Sequence, residues 1–93
     1  MSIWARDTEH EKRYGYQVYR AGFGPYGIMI REERNHTWGA EWVGHYDEWE
    51  YTIGFAATFE EAQRLVLAWV RERLAEATEQ LVEAEAEWAN GGG

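Results

Sequence analysis

His36 and His45 flank one predicted strand, and Asp47 and Glu48 follow shortly after. Imidazole beside carboxylate can ligate a metal or relay a proton. A structural metal site needs about four ligands, and these spacings match none of the usual ligand patterns. There is no cysteine, which excludes a thiolate nucleophile, a thiolate metal site and a disulfide. Ser2 is the only serine and shares a polar N-terminal stretch with His10, so a Ser-His-Asp arrangement is not expected. Gly22-Phe23-Gly24-Pro25-Tyr26-Gly27 has the glycine content of a phosphate loop. It lacks the lysine, however, and lies between two strands rather than at the start of a helix. These positions read as solvated turns. No metal, cofactor or catalytic residue is implied, and the expectation is a non-enzymatic protein.

Chemistry of binding is better represented. The 93 residues carry a net charge of −8, unevenly spread. Residues 1–34 hold six Lys/Arg against five Asp/Glu, whereas residues 35–93 hold three Arg against twelve Asp/Glu. Between Asn35 and Gln63 there is no Lys or Arg at all. Asp47, Glu48, Glu50, Glu60 and Glu61 form the candidate partner-binding face in that stretch, suited by charge steering to a protein with a basic surface. The same acidity repels a phosphate backbone, so direct nucleic-acid binding is disfavoured. The alternative is a sheet that binds single strands. Tyr14, Tyr16, Tyr19, Tyr26, Trp38 and Trp42 would stack bases, and Arg20, Arg31 and Arg34 would meet phosphates. Solvation alone is the plain reading of the acidic face, and core packing that of the aromatic rings.

The elements that would position these groups follow from periodicity. A chain of this length makes one small domain, in which six Trp, six Tyr and three Phe supply large packing units. Residues 1–13 are a polar arm, either frayed or docked by Trp4, with a single α+β domain over 14–93. Tyr14 to Arg20, Tyr26 to Glu32 and Thr37 to Gly44 alternate as strands, and Trp49, Tyr51, Ile53 and Phe55 alternate most cleanly of all. Gly39 leaves room for a ring on the face opposite Trp38, Ala40 and Trp42. Short connections predict an antiparallel meander of three to four strands over 14–57. Thr58-Phe59-Glu60-Glu61 is a capping box, which starts a helix over 59–89 before a flexible glycine tail at 90–93. The predicted core is Ile28, Ile30, Trp42, Ile53, Phe55, Leu65, Val66, Trp69 and Val70. No apolar run approaches a membrane span and no leader opens the chain, which predicts a soluble cytoplasmic protein.

That helix is too long for its sheet. At 1.5 Å per residue it spans about 45 Å, against about 23 Å for a seven-residue strand. Its far half still carries an apolar row, Ala77, Leu81, Ala84 and Trp88, with no strand beneath it. A second copy of the chain is the expected cover, giving a homodimer. Another protein, or Ile3 and Trp4 folded back, would be the alternatives.

Phe55-Ala56-Ala57-Thr58-Phe59-Glu60-Glu61-Ala62, a strand running into Thr-x-x-Glu-Ala and a helix, resembles the strand-to-helix junction of HicB-type antitoxins and of small bacteriophage or prophage accessory proteins. The small size, acidity and tryptophan content are also similar to phage-encoded inhibitors of host defence, including anti-CRISPR proteins. That resemblance implies binding to, and occlusion of, a host nucleic-acid-processing or defence protein in the host cytoplasm.

Overall fold

A computed structural model describes residues 3–43 and 50–92. The chain is α+β: a five-stranded antiparallel sheet followed by one long C-terminal helix. The elements are β1 (Ala5–Arg6), α1 (Thr8–Tyr14), β2 (Val18–Phe23), β3 (Tyr26–Glu32), β4 (Trp38–Val43), β5 (Glu50–Ala56) and α2 (Phe59–Glu87). The strands lie side by side in chain order, as a meander with short connections should. After α2 the backbone kinks within Trp88–Gly92, where Gly91 leaves helical geometry at φ +148°.

The sheet has one strand more than the sequence pattern predicts, because the N-terminal stretch is not a tail. Ala5 and Arg6 pair with Arg20 and Tyr19. The following residues form a helix of about two turns with both ends capped. Asp7 accepts the backbone N–H of His10 at 3.0 Å, and Gly15 takes a left-handed conformation while its N–H reaches the Glu11 carbonyl. Tyr14 is therefore the last residue of α1 and not the first of a strand, and β2 begins four residues later. Gly24 has φ +61° between paired Phe23 and Tyr26. With Pro25 holding the next φ negative, this is a two-residue turn of the II′ kind, whose twist suits a hairpin.

Register separates the two faces of the sheet. Tyr19, Ile30, Ala40 and Gly54 are opposite one another across β2 to β5, as are Ala21, Ile28, Trp42 and Tyr51 with one slip. This inner face lies under α2, which buries Ala62, Val66, Trp69 and Val70 against Ile28, Ile30 and Ala40. Aromatic rings close both ends of the layer. Phe59 stands over Tyr19, Trp38 and Trp4 at 4.4, 5.4 and 6.0 Å between centroids. Trp69 contacts Tyr26 and Trp42 at 5.3 and 5.4 Å.

The slip lies in β5. Ala40 pairs with Gly54 but Glu41 pairs with Thr52, so Ile53 is an extra, bulged residue. A one-residue shift turns every later side chain to the opposite face. Phe55, expected in the core with Ile53, is instead 61% exposed on the outer face. Its ring lies against Gly39, where an added Cβ would come within 3.2 Å of it. Leu65, also expected inside, is exposed and lies over Gly54. Trp42 and Ile53 are half-buried at the edge of the core, while Ile28, Ile30, Val66, Trp69 and Val70 are buried as predicted.

Candidate interaction surfaces

The overhang of α2 is a fact of the structure. Its buried residues all lie between Ala62 and Val70, and Arg73 is the last that is even partly covered. Beyond it every side chain through Asn90 is exposed, including Leu74, Leu81 at 58% and Trp88 at 71%. Ala77 and Ala84 lie in the same exposed row. The overhang stretches the molecule to 57 × 27 × 26 Å. The radius of gyration is 16.9 Å, against about 12 Å for a compact chain of this length. Ile3 and Trp4 do not cover the overhang. Trp4 packs edge-on against Phe23 and Phe59, each at 6.0 Å, at the opposite end of α2.

The acidic face comes together only in part. Thr58 accepts the Glu61 backbone N–H at 3.1 Å, and the Glu61 carboxylate accepts that of Ala57 at 3.3 Å, so the capping box forms with Glu61 committed to it. Glu60 pairs with Arg64 one turn on at 3.0 Å. Glu50 opens β5, opposite Val43 in the ladder. Asp47 and Glu48, with His45, lie outside the described residues.

The nine aromatic and arginine side chains proposed as a single-strand platform are divided by the fold. Tyr19, Tyr26, Trp38 and Trp42 face α2 and belong to or border the core. Tyr14, Tyr16, Arg20, Arg31 and Arg34 gather around the outer face. There α1 stands over the sheet and a cavity of about 530 Å³ opens between His10, Arg13 and Tyr14 on one side and Arg20, Met29 and Arg31 on the other. A second hollow, from Tyr14 and Tyr16 to Arg34 and His36, continues it. The His10 ring nitrogen Nε2 is 2.9 Å from the Tyr16 hydroxyl, and its ring stacks at 4.5 Å on Tyr14. His10 and Arg13 were not legible as groove residues because nothing in the pattern marked α1 as packed.

Ion pairs set the electrostatics of this groove. The Arg20 guanidinium meets Asp7 at 3.0 Å. Asp7 is held below its ordinary pKa first by the His10 backbone N–H and then by Arg20. Arg31 meets Glu33 at 3.0 Å and the buried Glu41 at 2.9 Å. Burial alone would lower the Arg31 pKa. The Glu33 hydrogen bond and the charges of Glu41 and Glu33 outweigh that and raise it. Glu41, only 4% exposed, thus sits on the outer face beside a permanent cation. Arg13 lines the groove, and Arg34 stands exposed at its end.

Among the described residues no three His, Asp or Glu side chains cluster as metal ligands. No helix among them is long and apolar enough to cross a membrane. No protein-family model, curated protein or solved structure matches the chain.

Proposed function

We propose that this chain is a non-enzymatic interaction protein that binds or occludes a macromolecular partner. The observation that carries the reading is the exposed α2 overhang, an apolar row flanked by glutamates. An isolated helical segment of about this length is marginal in water unless its apolar side is covered. The row is therefore a surface for another chain, a second copy being the first candidate. The glutamates beside it, with Glu60 and Glu61 at the other end of α2, suit a protein with a basic surface. An acidic rod of this kind could occupy a groove that otherwise holds a nucleic-acid backbone. This supports the reading of a phage or mobile-element factor that inhibits a host nucleic-acid-processing or defence protein.

Capture of a host protein by the wild-type chain, with the partner identified by mass, is the test. The partner should be lost with Leu81→Glu/Trp88→Glu. Glu50→Lys/Glu60→Lys should slow its association at low salt and leave the melting temperature nearly unchanged. An association rate unchanged by the charge reversals would make the acidic face solvation only.

A second reading is favoured by the outer-face groove, where Tyr14 and Tyr16 stand beside Arg13, Arg31 and Arg34. Aromatic rings beside cations suit a single strand of nucleic acid. Binding to single-stranded DNA or RNA that falls steeply with salt would support it.

A further inference from the structure

We infer that the α2 overhang pairs with the overhang of a second copy as an antiparallel coiled coil with its two-fold axis at the level of Glu79. The inference rests on the reading of the row as an interface, and adds which occupant covers it and in which register. Leu67, Val70, Leu74, Ala77, Leu81, Ala84 and Trp88 recur at alternating steps of three and four. That is the apolar seam of a heptad repeat. Of this seam the sheet buries only Val70, Leu67 being 44% exposed, and the row ends at Trp88. The stretch from Val70, the last buried position, to Trp88 has its midpoint at residue 79.

An antiparallel partner centred there puts Leu74 level with Ala84 of the second copy and Ala77 level with its Leu81. Each layer then holds one large and one small side chain, which lets two helices approach closely. Each Trp88 reaches the level of Val70 in the other copy, where the globular part ends. The flanking positions make the stronger argument. In this register Arg71 meets Glu85 of the second copy and Arg73 meets its Glu87. The two-fold repeats both pairs, giving four. Residues next to the axis must face their own copies, where like charges would repel. Those residues are Thr78 and Gln80, the only uncharged polar residues between Arg71 and Glu87. The remaining glutamates, Glu72, Glu76, Glu79 and Glu83, fall on the side away from the seam. A parallel pair would set Arg73 beside Thr78 and Gln80 beside Glu85, with no ion pair. It would also bring both globular parts to the same end. Within one chain Arg73 lies over the Trp69 ring at 4.9 Å and meets Glu76 only at 3.8 Å, so its guanidinium is available to a better-placed carboxylate.

Sedimentation equilibrium on the full chain with reciprocal charge reversals tests both occupant and register. The wild type should sediment at twice 10.9 kDa. Arg71→Glu/Arg73→Glu and Glu85→Arg/Glu87→Arg should each weaken self-association by at least about tenfold, because all four pairs become repulsive. An equimolar mixture of the two should restore the dimer, since every pair is then again attractive. Circular dichroism confirms that each variant is folded. The second variant alters exposed positions only, so it keeps the test open if the first misfolds: it should be monomeric by itself. Variants that remain dimeric alone, or a mixture that fails to recover, overturn the register. A wild type that stays monomeric at high micromolar concentration overturns the second copy as occupant. In that case, capture of a partner that depends on Leu81 and Trp88 would still leave the interaction reading standing.

Discussion

Trp69 joins the two parts of the molecule. It is 9% exposed, touches Tyr26, Trp42 and Tyr51, and carries Arg73 on its face. A cavity left there has stiff neighbours on the sheet side, so Trp69→Ala should destabilise by about 3–5 kcal/mol. Urea denaturation measures it, and a midpoint close to the wild type would show that the rings collapse into the gap. Tyr51 reaches this cluster because the bulge at Ile53 leaves it on the inner face. The alternation made Tyr51, Ile53 and Phe55 equivalent, and the ladder does not. The reason is local: periodicity counts residues, while a bulge spends one residue without advancing the pairing.

Two helix starts differ in how visible they were. The capping box at Thr58 has an apolar run behind it and is found where predicted. Thr58→Ala should cost about 1 kcal/mol, read as a shift in the denaturant midpoint at constant slope. The cap at Asp7 carries no such run, since α1 buries no residue of its own. Asp7, the acidic first turn, Lys12 and Arg13 in the last turn and Gly15 were nonetheless all present as start and stop signals. Asp7 also ties α1 to the sheet through Arg20. Its pKa is depressed in the fold by the His10 N–H and by Arg20, so its contribution is complete above the ordinary carboxylate range near about 4. That contribution fades as the pH falls through the depressed folded value. Asp7→Asn keeps a cap acceptor and loses the charge. Its stability should approach that of the wild type as the pH is lowered below about 4 and fall short of it at neutral pH. Denaturation midpoints at both pH values check this, and an offset that does not change with pH would mean that the charge contributes nothing.

At the scale of the molecule, the overhang has no sheet to hold it, and its helicity should depend on what covers it. With a second copy as cover, dilution should lower the ellipticity at 222 nm as dimer dissociates and the residues beyond Arg73 lose support. A signal per residue that is independent of concentration, in a chain shown to be monomeric throughout, would mean that the overhang is stable alone. Truncation after Leu74 should leave the globular part folded, because the buried stripe of α2 ends at Val70.

The sequence by itself determined the α+β class, the meander, the helix start at Thr58 and the overhang. Each depends on residues close together in the chain: alternation, turn chemistry, a cap, and a count of turns against strand length. Tertiary structure alone decided that the N-terminal stretch adds a strand and covers the outer face, that Phe55 lies on Gly39, and that the arginines of β2 and β3 meet Tyr14 and Tyr16 in one groove. These depend on pairing between distant segments. A single slip in register reverses which face a side chain occupies, and nothing in the local pattern marks where it falls.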